Sequence, residues 1–354
     1  MISILSDKEY AMEMIERKNC AITGADDLEP LYTFKHFPVF MGVTDQATES
    51  DEYTDMEWGI SKSSGCIQLL KLVSQDVVYQ TSHGSGSTGN TWIRHHQSFA
   101  DFIYQFKPSS IIEIGGGHGI LAKNYKDKID WTIIEPNPTP VKNTPAKYIK
   151  AFFDESFAKT YNNSFDGVVN SHVFEHMYDS AGFMKLLGAF VPENNFLFFS
   201  VPNLYKWLKN KFTNSIMFEH SIFLAESYID YLLTKYGFRL LKKDKFEDHS
   251  LFYAAFRDSS VKKIELSETL HKENKALFME YVEYYKKLIA QLNNKLDMLD
   301  QKAYIFGAHV FTQFLLALGL NSDKLECILD NDAHKQGKRL YGTSLKVLSP
   351  PHIK

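Results

Sequence analysis

The chain has 354 residues, of which 44% are hydrophobic and 23% charged, close to the averages of folded globular proteins. This composition excludes a disordered chain, a collagen-like chain and a small scaffold held by disulfide bonds. The 39 basic and 43 acidic residues give a net charge of −4, so there is no basic surplus of the kind that nucleic-acid binders carry. A small molecule is therefore the expected substrate.

Cysteine usage and hydropathy predict the compartment. Cys20, Cys66 and Cys327 are too few and too scattered for a disulfide framework. The first residues carry charge throughout and lack the apolar centre of a signal peptide. No apolar run reaches the roughly 18 residues of a membrane span. We therefore expect a cytoplasmic protein that contacts neither a membrane nor nucleic acid.

Three stretches differ in pattern, and we treat them as three domains with boundaries at 1–95, 96–258 and 259–354. The first is small and irregular. In the second, strand-like apolar runs alternate with helical patterns, which is typical of a mostly parallel sheet with helices on both faces. The third begins with a long amphipathic helix and closes with a second α/β pattern. The predicted fold class is therefore α/β.

A glycine-rich segment, IIEIGGGHG, covers residues 111–119, where a strand passes into a helix. Glycines at 115, 117 and 119 let the backbone turn sharply and approach a ligand. By itself the pattern is compatible with a dinucleotide, with S-adenosylmethionine or with a purely structural turn. Glu135 ends the next strand, where a carboxylate is placed to accept hydrogen bonds from a ribose diol. We therefore predict a nucleoside-bearing cofactor.

The order E-x-G-x-G-x-G resembles the first motif of class I S-adenosylmethionine-dependent methyltransferases, whereas a dinucleotide site would place its third glycine later. The resemblance continues to the end of the fourth strand, which in such enzymes lies near the methyl group. It implies a class I methyltransferase Rossmann-like sheet with S-adenosylmethionine as cofactor. The residues that it assigns to the cofactor are Glu113, Gly115, Gly117, Glu135, Phe153, Asp154 and Asn170.

Histidines cluster after that strand. His172 and His176 are four residues apart and would share one face of a helical turn, with Glu175 beside them. A histidine that titrates near neutral pH suits the single proton removal that methyl transfer requires, although a histidine taken singly is more often structural than catalytic. The H-E-x-x-H spacing of helical zinc sites is absent, so we predict no metal site.

The chain as a whole resembles the sugar C-methyltransferases, which act on nucleotide-linked deoxysugars. In that family a zinc-binding domain precedes the methyltransferase domain, and a Rossmann-like domain follows it. Glu219-His220 is similar to the second half of the family's Tyr-His-Glu-His motif, whose last histidine is the proposed base. His176 aligns with a histidine after the fourth strand, and Tyr79 with an N-terminal tyrosine that reaches the sugar. The resemblance implies catalytic roles for these four residues.

Later segments resemble parts of the family that hold the nucleotide-sugar. His249 lies in a segment similar to the family's His-Gly-Gly-Ser-Leu, and Gly307 and Lys335 lie in segments similar to its C-terminal ones. The resemblance implies that these three residues bind substrate. It is also compatible with a homodimer.

The chain departs from the family pattern in two places. Of the four zinc ligands only Cys20 remains, because Ser61 and Ser64 stand at two of the others, so a tetrahedral zinc site is not expected. Met217 and Phe218 replace the tyrosine and the first histidine of the Tyr-His-Glu-His motif. Two polar groups that could stabilise an enolate are thereby lost, which puts carbon as the methyl acceptor in question.

The resulting hypothesis is an S-adenosylmethionine-dependent methyltransferase that acts on a nucleotide-linked sugar in polysaccharide biosynthesis, with a histidine as general base. C-methylation of a keto-deoxysugar and O-methylation of a hydroxyl both remain open. The alternative is a non-catalytic nucleotide-sugar binding or assembly protein that retains the fold. A nicotinamide oxidoreductase is a third hypothesis, which the glycine spacing disfavours.

Overall fold

The computed structural model describes residues 14–78 and 89–352. The N-terminal part contains a three-stranded antiparallel sheet of order β2-β4-β5, and β1 pairs with β6. Its elements are β1 (Met14–Glu16), β2 (Leu28–Pro38), β3 (Val43–Thr44), β4 (Tyr53–Ser61), β5 (Ile67–Leu69), β6 (Lys71–Val73) and α1 (Gln75–Val78).

The middle part alternates strands and helices. Its elements are α2 (Asn90–Tyr104), β7 (Ser110–Ile114), α3 (Ile120–Asn124), β8 (Asp130–Ile134), β9 (Lys147–Ile149), α4 (Glu155–Thr160), β10 (Gly167–Ser171), α5 (Ser180–Phe190), β11 (Phe196–Pro202), α6 (Leu204–Lys209), α7 (Glu226–Lys235), β12 (Phe238–Phe246) and β13 (Ser250–Arg257).

Seven strands of this part form one sheet of order β12-β13-β11-β10-β7-β8-β9. Strands β7 to β11 run parallel, and β13 is antiparallel to both of its neighbours. This arrangement confirms the predicted α/β class and its methyltransferase-type Rossmann-like sheet. From β7 the strand order runs to β8 and β9 on one side, and the chain then adds β10 on the other side of β7. The strand order therefore reverses between β7 and β10, which is a topological switch point. Ligands of open α/β sheets bind at the carboxyl ends of strands at such a point.

The sheet is buried on both faces, as its continuous apolar strands require. Val168 on β10 belongs to one core, which includes residues of α5 and α7, and its neighbour Val169 belongs to another, which includes residues of α2 and α3. Alternate residues of a strand point to opposite faces, which explains this division. In the part of the chain that the structure describes, no helix combines the length and the apolar character needed to cross a membrane.

The C-terminal part is a long helix followed by a small parallel sheet of order β14-β15-β17. The helix α8 occupies the stretch for which the sequence predicts an amphipathic helix. The elements of this part are α8 (Leu270–Asp297), β14 (Ala303–Phe306), α9 (Val310–Ala317), β15 (Leu325–Leu329), β16 (Arg339–Leu340) and β17 (Val347–Leu348).

The first and last parts of the chain pack on each other. Strand β16 pairs with β3, and a third core joins Trp58 on β4, Phe278 on α8 and Phe314 on α9. The guanidinium of Arg339 makes two 2.7 Å contacts with the carboxylate of Asp51, whose side chain is fully buried. Paired strands, a shared core and a bidentate ion pair fix this interface.

The expected remnant of a zinc site is a small network of thiol and hydroxyl groups. Cys20 Sγ lies 3.2 Å from Ser64 Oγ, and the Ser64 amide donates to Ser61 Oγ. The phenol of Tyr228, on α7, donates to the carbonyl of Ser64 at 3.0 Å. These groups are buried, so hydrogen bonds and packing hold this region together.

Candidate functional site

The glycine turn after β7 lies at the switch point of the sheet. Gly115 and Gly117 have φ of 73° and 36°, in the left-handed region that side chains disfavour. A Cβ at Gly115 would come within 2.8 Å of Val173, whereas one at Gly117 would meet only the Glu135 carboxylate, at 4.0 Å. The turn at Gly117 therefore presents main chain to open space, as a cofactor that packs against main chain requires.

Glu113 lies beneath this turn. It is 3% exposed and accepts a 2.8 Å hydrogen bond from the indole N–H of Trp131, and burial raises its pKa to about 7. A Cβ at Gly116 would lie 2.6 Å from its carboxyl carbon, so the turn rests directly on this side chain. Its position is that of a support for the glycine turn.

Two polar groups at the same edge of the sheet fit an adenosyl and amino-acid ligand. The carboxylate of Glu135, at the end of β8, accepts from the amides of Gly117 (3.2 Å) and Asn137 (3.0 Å). Asn170, near the end of β10, is 1% exposed, and its Oδ1 has no hydrogen-bond partner among the described residues. A buried unsatisfied oxygen is costly, and an amino group of a ligand would satisfy it.

Phe153 and Asp154, which the resemblance assigns to the cofactor, lie before α4. Phe153 packs among aromatic rings, with ring centroids 5.1 Å from Phe190 and 6.2 Å from Phe183. The carboxylate of Asp154 caps α4 by accepting from the Phe157 amide at 2.8 Å. Both side chains therefore already have partners within the protein, and Asp154 acts as a helix cap.

A turn after β10 brings together a carboxylate and two imidazoles. His172 adopts a left-handed conformation with φ of 53°, and residues 174–176 form one turn of 3-10 helix. The expected helical turn that includes both His172 and His176 is therefore wrong, because the left-handed backbone of His172 leaves it outside the 3-10 turn. Both rings instead approach the carboxylate between them: His172 Nδ1 lies 3.1 Å from Glu175 Oε1, and His176 Nε2 lies 3.7 Å from the same atom.

The segment between α6 and α7 adds His220 to this cluster. The rings of His176 and His220 are 5.4 Å apart, and His176 Nδ1 lies 3.0 Å from the carbonyl oxygen of Glu219. Glu219 thus contributes its main chain to the site. His220 is 8% exposed, and burial lowers its pKa to about 3. Three residues each offer one possible ligand atom, and these atoms lie within 4.8 Å of one another: Glu175, His176 and His220.

A second group of aromatic and imidazole rings lies beside this cluster. Trp92, on α2, contacts His172 at 4.7 Å and His249 at 5.1 Å between ring centroids. His95, on the same helix, is fully buried and 5.0 Å from His172. The prediction of site residues missed both α2 residues. The sequence offered a weak signal, since W-I-R-H-H follows a Gly- and Ser-rich stretch at the start of a helix.

The remaining predicted residues lie elsewhere. Gly307 follows β14 with φ of 101°, and Lys335 Nζ donates to Ala308 O (3.0 Å) and lies 3.3 Å from Asp330 Oδ2. They form a separate cluster at the edge of the C-terminal sheet. Tyr79 lies outside the described residues.

Residues 90–243 match the family model described as a methyltransferase domain. The match runs from α2 into β12 and includes the glycine turn, Asn170, His176 and His220. This part of the chain is therefore similar to a methyltransferase domain, in agreement with the class that the sequence predicts. A search of curated proteins gave no match.

Several solved structures resemble about half of this chain. An O-methyltransferase family protein from Burkholderia thailandensis is 11% identical over 48% of this chain, with a TM-score of 0.37, and the match spans 57% of that protein. The 1,6-didemethyltoxoflavin-N1-methyltransferase of the same species is 11% identical over 51% of this chain and 84% of its own (TM-score 0.39). The magnesium protoporphyrin IX methyltransferase of Synechocystis is 14% identical over 50% and 88% (TM-score 0.36).

Proposed function

We propose that this chain transfers a methyl group from S-adenosylmethionine to a sugar carried on a nucleotide. The observation that carries the proposal is the His176–His220 pair beside the switch point of the sheet, in which the His220 side chain is buried. Bound S-adenosylmethionine supplies an electrophilic methyl group, so the protein has only to align an acceptor and manage one proton.

The cofactor would be held at the glycine turn. Gly115 and Gly117 leave room for the cofactor to approach the main chain. The carboxylate of Glu135 exchanges its hydrogen bonds to main-chain amides for hydrogen bonds to a ribose diol. The Oδ1 atom of Asn170 accepts a hydrogen bond from an amino group of the cofactor. Glu113 acts from below by supporting the turn. Each assignment uses a group that is open, exchangeable or unsatisfied in the protein alone.

The histidine pair would take the acceptor's proton. A carbonyl only accepts hydrogen bonds, so the contact with Glu219 O places the proton of a neutral His176 ring on Nδ1 and the lone pair on Nε2. The same geometry serves a hydroxyl and a carbon next to a ketone. His249 and Trp92 flank the cluster and would contact the sugar ring.

The C-terminal sheet would hold the nucleotide end of the substrate. Gly307 and Asp330 follow neighbouring parallel strands, and the carboxyl edge of such a pair is the usual ligand edge of an α/β unit. Asp330 Oδ2 accepts from the Ala308 amide, and Lys335 lies beside it with a positive charge suited to a phosphate.

The test is a methyl-transfer assay with isotopically labelled S-adenosylmethionine and a panel of nucleotide-sugars, read by mass spectrometry. One nucleotide-sugar should gain one labelled methyl group. The double variant His176→Ala with His220→Ala should lower kcat by about 10²-fold or more, since general base catalysis contributes that much. His271→Ala is the matched control, because His271 lies on α8 and its ring contacts Glu29 on β2, outside the site.

Unchanged transfer by the double variant would contradict the assignment of the base. Binding of S-adenosylmethionine without turnover on any nucleotide-sugar would favour the non-catalytic alternative. Exchange of deuterium from the carbon next to a ketone distinguishes C-methylation from O-methylation, because only C-methylation removes a proton from carbon.

A further inference from the structure

We infer that Glu175, His176 and His220 form a binding site for one divalent transition-metal cation, whose remaining positions take oxygen atoms of the acceptor. The cation site stands on the geometry of these three side chains. Its use in catalysis rests on the proposed function.

The three side chains converge from two segments of the chain. One ligand atom of each lies within 4.8 Å of the other two, and His176 Nε2 is 3.7 Å from Glu175 Oε1. Three ligands at about 2.1 Å from one ion are roughly 3.4 Å from each other in tetrahedral geometry. For all three ligand atoms to bind one ion, the side chains must therefore move by about an ångström.

The buried carboxylate lacks the partners that its charge requires. Glu175 is 1% exposed, and neither of its oxygens has a hydrogen-bond partner among the described residues, although His172 Nδ1 lies 3.1 Å from Oε1. His220 Nδ1 is likewise buried without a partner there. An uncompensated carboxylate in the interior is unfavourable, and a cation between it and the imidazoles would satisfy both.

The protein holds the two segments in place from outside the cluster. His176 Nδ1 is bonded to the Glu219 carbonyl, and metal-bound histidines usually donate their other N–H in this way. Arg17 donates to Tyr178 O at 2.7 Å and to Ser221 O at 2.8 Å, so one guanidinium bridges the two segments next to the ligands. The site is thus organised by groups that do not themselves contact the cation.

The donor set selects the type of metal. Two imidazoles and one carboxylate suit Zn²⁺, Fe²⁺ or Co²⁺, whereas Mg²⁺ and Ca²⁺ prefer oxygen ligands. Three protein ligands also leave positions open, as catalytic sites require. Two neighbouring oxygens of a sugar would fill those positions together, which favours O-methylation within a vicinal diol.

The cation changes the route of the proton. A hydroxyl bound to a divalent cation has a lowered pKa and gives its proton to water, and the resulting oxyanion remains bound to the cation. In the cation-bound protein, His176 and His220 are metal ligands. They act as the general base only in the metal-free protein.

The experiment uses the full chain, treated with a chelator and then titrated with Co²⁺ under calorimetry and visible absorption. We expect one Co²⁺ per chain and the absorption bands of low-coordinate Co²⁺. Glu175→Gln and His220→Asn should each weaken binding at least tenfold, and His271→Asn should not. Circular dichroism verifies folding, and the second variant keeps the test valid if the first does not fold.

The outcomes separate the two proposals. No Co²⁺ binding, binding that both variants retain, or a thiolate-to-cobalt band that disappears in Cys20→Ser would overturn the cation site. If the chelated enzyme still methylates a nucleotide-sugar at the full rate, the proposed function stands and the catalytic use of the cation fails. If the variants lose Co²⁺ but no nucleotide-sugar is methylated, the cation site stands and the proposed acceptor fails.

Discussion

The carboxyl group beneath the glycine turn should make this protein less stable in alkaline solution. Glu113 is buried with one hydrogen-bond donor, Trp131, and burial raises its pKa to about 7 from 4.5. A carboxyl group with a raised pKa contributes stability below its unfolded pKa, and this contribution is lost as the pH rises through the folded pKa. Glu113→Gln keeps an acceptor for Trp131 and removes the ionisation.

The size of the effect follows from the pKa difference. At about 1.4 kcal/mol per pKa unit, a rise from 4.5 to about 7 corresponds to about 3 kcal/mol. Most of this, about 2–3 kcal/mol, falls between pH 5 and pH 8. Over that range, the free energy of unfolding of the wild type should therefore fall by about 2–3 kcal/mol relative to that of Glu113→Gln.

The assay is urea denaturation of both proteins at pH 5 and pH 8. A second variant, Trp131→Phe, removes the donor that favours the charged form, so it should make the loss of stability toward pH 8 steeper than in the wild type. An equal difference between wild type and Glu113→Gln at both pH values would refute the reasoning, because the carboxyl group would then titrate alike in the folded and unfolded chains.

Three further substitutions test other parts of the structure. Gly115→Ala places a Cβ within 2.8 Å of Val173 at a φ of 73°, and it should lower the free energy of unfolding by about 1–3 kcal/mol in urea denaturation. Asp51→Asn leaves the Arg339 guanidinium with a neutral partner, so it should cost about 3 kcal/mol and expose the interface of the first and last parts to protease. Asn170→Leu removes an unsatisfied buried oxygen, and it should weaken S-adenosylmethionine binding at least tenfold in calorimetry while leaving the thermal midpoint unchanged or higher.

The cofactor half of the fold could be predicted because its signals are local. A strand, a glycine turn and a helix follow each other within 111–124, and the acid at 135 ends the next strand. Pattern and propensity within such short segments specify the type of each element. The left-handed conformation of His172 could not be predicted, because only the tertiary setting selects it.

The ligand set of Glu175, His176 and His220 escaped prediction for a related reason. A search for helical metal motifs assumes that one helix supplies two ligands, whereas here a 3-10 turn supplies two and a loop 44 residues later supplies the third. Asp154 shows a different limit of the sequence, since the motif assigns it to the cofactor and its carboxylate also caps α4. Motif position alone does not show which partner a side chain meets.

The bridge made by Arg17 shows what the N-terminal part contributes beside the histidine pair. Besides the two carbonyls next to the histidine pair, the guanidinium donates to Leu69 O, and the Leu69 amide donates back to Ser221 O. Residues 67–69 therefore form an edge against which the His220 segment is held. Removal of the N-terminal part should therefore release that segment and leave His220 without a fixed position beside the sheet.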